Sequence, residues 1–179
     1  SCPCQDGFII GTERSMYRFD FKTMKPELTV SFNDDFRIAF ATELPDGNIL
    51  CGSHLNGLRV VDPVSRSIKT PFQTEGYYIT SMFVDLRGRL WLGLYNYGIR
   101  CFTMGGELLA SYSTHNSDLS NDIILSMLEK DGDLWVGTDG GGVCIITPAT
   151  GNIHCLKNRV GDENSIPYNS IMKIIPDTF

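Results

Sequence analysis

The stretch that decides the fold spans residues 131–147. It reads Asp131-Gly132-Asp133-Leu134-Trp135-Val136-Gly137-Thr138, then, after a short polar connection, Gly142-Val143-Cys144-Ile145-Ile146-Thr147. A polar turn leads into an apolar strand that ends in glycine, and a second glycine opens another apolar strand. Because Asp-Gly turns provide the positive φ that tight hairpins need, this pattern predicts consecutive antiparallel strands.

The same pattern recurs along the chain at nearly constant spacing. It is marked by three glycine pairs, each five residues apart: Gly52/Gly57, Gly93/Gly98 and Gly137/Gly142. The first glycines of the pairs are separated by 41 and then 44 residues, and a single Gly11 lies 41 residues before the first pair. A period of roughly 40–45 residues with four short strands per unit is typical of a β-propeller blade. The sequence therefore predicts an all-β fold of four-stranded antiparallel blades.

The repeat divides the chain into about four blades. We place them at residues 7–32, 36–73, 78–113 and 122–157, with residues 166–175 as the first strand of a further blade. The first of these units starts with the second strand of a blade, and a single first strand follows the fourth unit. The chain is therefore offset by one strand, at each of its two boundaries, from a set of complete blades. We therefore expect a partial propeller that is a fragment of a larger one. The sequence allows two roles for residues 166–175: they complete the truncated first blade, or they pair with another chain.

Composition narrows the class of protein. The 179 residues are 42% hydrophobic, which is typical of a globular chain. A net charge of −6 argues against a nucleic-acid surface, which needs clustered lysine and arginine. No apolar stretch approaches the roughly 20 residues of a membrane span, so we expect no membrane contact within this chain.

Two of the six cysteines are candidates for a disulfide. If Thr147 pairs with Asn152 across a hairpin, the same register places Cys144 opposite Cys155. Directly opposed residues in antiparallel strands lie about 4.5–5.5 Å apart, which is close enough for a bond. A shift of one residue would remove it. Cys51 and Cys101 fall inside apolar strands, where cysteine usually acts as a small hydrophobic residue.

The last third of the chain resembles the two-component regulator propeller repeat. The resemblance rests on Leu119-Ser120-Asn121-Asp122-Ile123-Ile124, on the Leu-Trp-Val-Gly-Thr strand at 134–138 and on the Gly-Gly-Val that follows at 141–143. Residues 79–98 match less fully, and Leu50 stands where the repeat has tryptophan.

The resemblance implies a non-catalytic, extracytoplasmic sensing or interaction module. Such repeats form the periplasmic sensor region of Bacteroides-type hybrid two-component systems, anchored in the inner membrane and joined to a histidine kinase outside this chain. Many members respond to oligosaccharides derived from glycans. Implied partners are neighbouring blades or domains of the same receptor, an oligosaccharide, and a second copy in a homodimer. The alternatives are a propeller lyase or hydrolase and a pure protein-binding scaffold.

We expect a ligand or partner to bind where the second-to-third strand loops and the connections between blades emerge together. Aromatic rings beside amides and a carboxylate can stack on and hydrogen-bond a sugar or dock a protein. The candidates are His54, Asn56, Tyr77, Tyr78, Tyr95, Asn96, Tyr97, His115 and Asp139. The alternative is that these are ordinary turn residues packed on neighbouring blades.

Other patterns favour structural roles. Trp91 and Trp135 share one repeat position, and we expect them to pack between blades. Arg18, Arg59 and Arg100 share another position. We expect the aliphatic part of each arginine to pack between blades while its guanidinium group reaches water or a carboxylate. The glycine run 140–142 lacks the Gly-Lys-Ser/Thr of a phosphate loop. We identify no catalytic residue, metal ligand or cofactor site.

Overall fold

The computed structural model describes residues 2–4, 7–74 and 76–177, with residues 2–4 described by their backbone alone. Across these ranges the chain forms strands and turns without a helix. The strands build four separate four-stranded antiparallel sheets, in each of which the strands lie in chain order. This confirms the predicted all-β, blade-like architecture. The chain divides into two compact units, residues 1–77 and residues 78–179.

Unit 1 contains two sheets. The first is formed by β1 Cys2–Cys4, β2 Gly7–Gly11, β3 Ser15–Asp20 and β4 Lys25–Ser31, and the second by β5 Phe40–Glu43, β6 Ile49–Gly52, β7 Leu58–Val61 and β8 Ile68–Lys69. The first sheet extends beyond the blade placed at residues 7–32, because β1 pairs with β2 and supplies the fourth strand of that sheet. The short Cys-Pro-Cys segment carries no alternating apolar pattern that could have indicated a strand.

Unit 2 contains the two sheets with the most regular repeat pattern. The third sheet is formed by β9 Ile79–Val84, β10 Leu90–Leu94, β11 Gly98–Phe102 and β12 Leu108–Tyr112, and the fourth by β13 Ile124–Lys130, β14 Asp133–Thr138, β15 Val143–Thr147 and β16 Asn152–Leu156. Each lies within the span predicted for its blade.

Each unit has its own apolar core. In unit 1 the buried cluster includes Ile9, Met16, Phe36, Ile49 and Cys51, which come from both of its sheets and from the segment between them. In unit 2 it includes Trp91, Ile99, Leu119, Ile124 and Val136, again from both sheets and their connection. Neighbouring blades within a unit are therefore held together by side chains that alternate toward the shared core.

The two glycines of a pair have different physical roles. Gly98 and Gly142 adopt φ values of +68° and +81°, a left-handed conformation that favours glycine. Gly93 and Gly137 have no such φ, but each lies against a serine of the preceding strand and an isoleucine of the following repeat. A Cβ added at Gly93 would lie 2.6 Å from Ser81 Oγ and 2.7 Å from Ile124 Cγ2. In these two pairs of unit 2, the first glycine is thus required by packing and the second by backbone conformation.

The segment after β16, residues 157–177, differs from its prediction. Residues 166–175 form no strand. Instead, the backbone carbonyl of Asn169 accepts hydrogen bonds from the Gly140 and Gly142 N–H groups at 3.1 and 2.7 Å, and the Ile171 N–H donates to the Thr138 carbonyl at 2.9 Å. A strand needs a neighbouring strand for its backbone groups, and no strand of the described chain pairs with residues 172–175.

No helix among the described residues is long and apolar enough to cross a membrane.

Candidate functional site

Unit 2 brings several candidate residues to one end of its two sheets. The Tyr95 N–H donates to the Tyr78 carbonyl at 3.0 Å, and the two tyrosine rings meet edge to face with centroids 6.1 Å apart. Tyr97 follows in the same β10–β11 loop, and Asn96 between them has a φ of +63°, which turns the chain sharply. Tyr78, Tyr95 and Tyr97 are 42%, 48% and 52% exposed. Large aromatic surfaces thus remain open to solvent beside this loop.

Asp122 connects this loop to the next blade connection. Its backbone carbonyl accepts the Gly98 N–H at 2.9 Å. Its carboxylate accepts hydrogen bonds from the Thr114 N–H at 2.8 Å and the Thr114 hydroxyl at 2.6 Å. The His115 Nδ1 lies 3.8 Å from the same carboxylate, and its side chain is 90% exposed. The carboxylate, the hydroxyl and the imidazole form a polar group that the Asp122 backbone joins to the end of the β10–β11 loop.

Asp139 lies at this end of unit 2 but is engaged by another segment. Its N–H donates to the Ile123 carbonyl at 3.0 Å, which holds the β14–β15 loop beside the blade connection. Its carboxylate accepts the Ser170 hydroxyl at 2.6 Å. The segment after β16 therefore contacts the Asp139 loop, a contact that the strand pattern did not indicate.

The remaining candidates lie in unit 1. His54 is exposed in the β6–β7 loop, and its ring meets the Phe40 ring edge to face at 5.2 Å. Asn56 Oδ1 accepts the Ser53 hydroxyl at 3.3 Å within the same loop. Tyr77 is half-buried, and its N–H donates to the Thr74 carbonyl at 3.4 Å. The contacts given above for His54, Asn56 and Tyr77 thus lie within unit 1.

Sequence reasoning did not select Asp122 or Thr114. Asp122 follows a Ser-Asn pair just before an apolar strand, which made it look like part of a turn. Its partner Thr114 is eight residues away, across a blade connection that has no periodic pattern. The Asp-Ile-Ile sequence at 122–124 is the one signal for this residue, because it places a carboxylate just before β13, the first strand of the fourth sheet.

A second polar cluster lies at the opposite end of β10. The buried carboxylate of Asp85 accepts hydrogen bonds from Trp91 Nε1 at 2.9 Å and Arg89 Nε at 2.6 Å, and from the Arg87 and Arg89 N–H groups at 2.9 and 2.8 Å. Burial acts to raise the pKa of Asp85, but the hydrogen bonds from Trp91 and Arg89 outweigh it and hold the pKa below its usual value. Because its acceptor atoms are occupied by protein donors, this cluster is structural.

Among the repeated tryptophan and arginine positions, Trp91 and Arg59 have clear packing roles. Trp91 is buried in the core shared by the two sheets of unit 2, as predicted, whereas Trp135 is half-buried. Arg59 lies 5.0 Å from the Phe36 ring centroid and 3.3 Å from an Asp34 carboxylate oxygen, so its stem packs while its charge is paired. Arg18 is exposed and Arg100 is half-buried.

The fourth sheet contains a disulfide. β15 and β16 pair with Cys144 opposite Cys155, in the predicted register, and a bond joins the two sulfur atoms across a Cα–Cα distance of 4.0 Å. Cys51 and Cys101 are free and buried, and burial raises the pKa of their thiols to about 12 and about 11. Since only the thiolate reacts readily, neither free cysteine is suited to nucleophilic chemistry.

Within the described residues there is no group of three or more His, Cys, Asp or Glu side chains placed to hold a metal ion.

Comparisons with known proteins identify the repeat and the fold. Residues 118–140 match the family described as two component regulator propeller. No curated protein matches the chain. The extracellular domains of the hybrid two component systems BT4673 and BT3049 from B. thetaiotaomicron superpose on 99% and 98% of the chain, with TM-scores of 0.76 and 0.72 and identities of 20% and 23%. Virginiamycin B lyase from Staphylococcus aureus superposes on 85% of it, with a TM-score of 0.60 and 18% identity.

The chain spans about a quarter of the length of the two B. thetaiotaomicron proteins, 24% and 23%, and 56% of the lyase. At these sequence identities, the superpositions show a shared fold and nothing more. Together, the comparisons establish β-propeller blades, one of which carries a repeat of the two component regulator propeller type.

Proposed function

We propose that this chain is a non-catalytic sensing module in the extracytoplasmic region of a hybrid two-component regulator. The observation that carries the proposal is the match of residues 118–140 to the two component regulator propeller repeat. The structural similarity to extracellular domains of two such systems supports it. The Cys144–Cys155 disulfide supports an extracytoplasmic location, because disulfides persist in oxidising compartments.

The ligand we propose is an oligosaccharide, bound beside the exposed rings of Tyr78, Tyr95 and Tyr97. Sugar rings stack on aromatic faces, and their hydroxyls need donors and acceptors nearby. The Asp122 carboxylate, the Thr114 hydroxyl and the His115 imidazole provide these at the same end of unit 2. A bound sugar transmits a signal only if it binds two arrangements of the receptor with different affinities.

Calorimetry of the chain against a panel of oligosaccharides tests the ligand. We expect one class of sugar to bind, and Tyr95→Ala to weaken its binding at least about fivefold through loss of a stacking surface. Tyr168→Ala is the matched control, because Tyr168 is 77% exposed in the segment after β16. If no sugar binds, or if both variants weaken binding equally, the sugar site is rejected.

The observations favour a sensor over a propeller enzyme. At 18% sequence identity, the similarity to the lyase concerns the fold alone. His115 and Asp139, the titratable candidates of unit 2, face Asp122 and Ser170, respectively. A measurable turnover of any oligosaccharide in the calorimeter, seen as a continuous heat signal that His115→Ala abolishes, would replace the sensor proposal with an enzymatic one.

A further inference from the structure

The segment after β16 docks on the fourth sheet in the way that one blade docks on the next. The Gly98 N–H donates to the Asp122 carbonyl at 2.9 Å where the third sheet meets the fourth. The Gly142 N–H donates to the Asn169 carbonyl at 2.7 Å. Gly142 follows Gly98 by 44 residues, and Asn169 follows Asp122 by 47. The same backbone hydrogen bond is thus formed one repeat later.

The side-chain contact is repeated as well. A Cβ added at Gly93 would lie 2.7 Å from the Cγ2 of Ile124, the first residue of β13. A Cβ added at Gly137 would lie 2.9 Å from the Cγ2 of Ile171. Ile171 also follows Ile124 by 47 residues. One register therefore relates both contacts, so residues 169–171 occupy the place where the first strand of a blade begins, as β13 begins in the fourth sheet.

Beyond that point the segment has the sequence pattern of the first strand of a blade, but no strand in the described part of the chain pairs with it. In β13, Ile124 is followed by Leu125, Ser126, Met127 and Leu128, and all pair with or lie beside β14. Ile171 is followed by Met172, Lys173, Ile174 and Ile175, which belong to no strand. Met172 and Ile175 are each 73% exposed. An apolar edge with unpaired backbone groups favours the addition of a strand.

We propose that residues 171–175 are an acceptor edge for the second strand of a further propeller repeat. Such a strand has the apolar-Trp-apolar-Gly pattern of β10 and β14. The partner follows from the register, because Ser126 pairs with Gly137, Met127 with Val136 and Leu128 with Trp135 in the fourth sheet. The 47-residue offset then places Lys173 opposite the glycine of the incoming strand, Ile174 opposite its aliphatic residue and Ile175 opposite its tryptophan.

The test uses a synthetic peptide with the sequence of residues 131–138, added to the 179-residue chain. Backbone amide exchange is followed by mass spectrometry. At a peptide concentration about ten times the dissociation constant, we expect exchange at residues 172–175 to slow about tenfold. The edge strand β12, residues 108–112, is the internal control and should be unaffected. A peptide with valine in place of its glycine should give less than about half of that protection.

A protein variant checks the docked position. Ile171→Ala removes the side chain that lies against Gly137, and we expect it to reduce the peptide-induced protection to less than about twofold. Val160→Ala is the matched control, because Val160 is fully exposed in the preceding loop. Tryptophan fluorescence shows whether each variant retains the fold.

Four outcomes would overturn the proposal: no protection at residues 172–175, equal protection by a scrambled peptide, equal protection at β12, or unchanged protection in folded Ile171→Ala. Concentration-dependent protection of residues 172–175 without any peptide would also overturn it, since it would identify a second copy of the chain as the partner. If Ile171→Ala does not fold, the protection given by the valine peptide, compared with that given by the original peptide, still tests the register.

Discussion

At the scale of single residues, Asp85 shows how a buried carboxylate can stabilise a blade. Its side chain is 1% exposed, and each of its oxygen atoms accepts two hydrogen bonds from the turn residues, Arg89 or Trp91. The Arg89 guanidinium in turn lies 5.3 Å from the Trp91 ring centroid. One acidic residue therefore fixes the β9–β10 turn and orients a core tryptophan.

We predict that Asp85→Asn destabilises the chain by about 2–4 kcal/mol, because it removes a buried charge from paired donors. Urea denaturation at neutral pH measures this. Asp46→Asn, in an exposed turn of unit 1, should change the free energy of unfolding by less than about 0.5 kcal/mol. Equal effects of the two substitutions would contradict this role for Asp85.

The pH dependence follows from the lowered pKa of Asp85. Its usual value is 3.8, and the folded value lies below this. The stabilisation by the carboxylate is therefore complete above the unfolded value and is lost as the pH falls through the folded value. We expect the difference in unfolding free energy between the wild type and Asp85→Asn to shrink between neutral pH and about pH 3. A difference that is constant across this range would show that the charge contributes nothing.

A second residue-scale prediction concerns Gly93. An added methyl group would meet Ser81 Oγ and the Ile124 side chain at less than 3 Å, so we expect Gly93→Ala to cost about 1–3 kcal/mol through overpacking. Gly105 has no positive φ and only a Thr103 hydroxyl at 3.7 Å from an added Cβ, so Gly105→Ala is the control. Thermal unfolding should show a lower midpoint for Gly93→Ala alone. An unchanged midpoint would mean that the strand shifts at little cost.

At the scale of elements, the disulfide fastens the outer strand of the fourth sheet. Cys144 and Cys155 are 11 residues apart, so the bond closes a short loop and should contribute about 2–3 kcal/mol. We expect dithiothreitol to lower the urea midpoint of the wild type to that of the Cys144→Ala/Cys155→Ala double variant. The double variant should not respond to dithiothreitol. A response in that variant would assign the effect to other cysteines.

The elements also show what sequence could and could not predict. The strands of unit 2 were predictable because their glycine-containing turns, apolar strand residues and glycine pairs all indicate the same register. The last strand of the blade predicted at residues 36–73 is short: β8 spans only Ile68–Lys69, since Pro71 cannot donate a backbone hydrogen bond. The Asp122–Thr114 and Asp139–Ser170 contacts were not predictable, because they join residues across irregular connections where no period relates one side chain to the other.

At the scale of the whole molecule, each unit has its own core, and both tryptophans lie in unit 2. We expect residues 78–179, produced alone, to unfold cooperatively with nearly the same urea midpoint by tryptophan fluorescence as the full chain. The disulfide and the unit 2 core are both retained in that fragment. A broad transition without cooperativity would show that unit 2 needs residues 1–77 to fold.

The contact between Gly93, Ser81 and Ile124 also has a consequence for how such repeats diverge. The three positions share one small volume, although they belong to two successive repeats. A larger side chain at the glycine can persist through evolution only if the serine or the isoleucine becomes smaller at the same time. Aligned relatives should therefore show covariation between these positions, and repeats exchanged between homologues should be compatible only when both sides of this contact are inherited together.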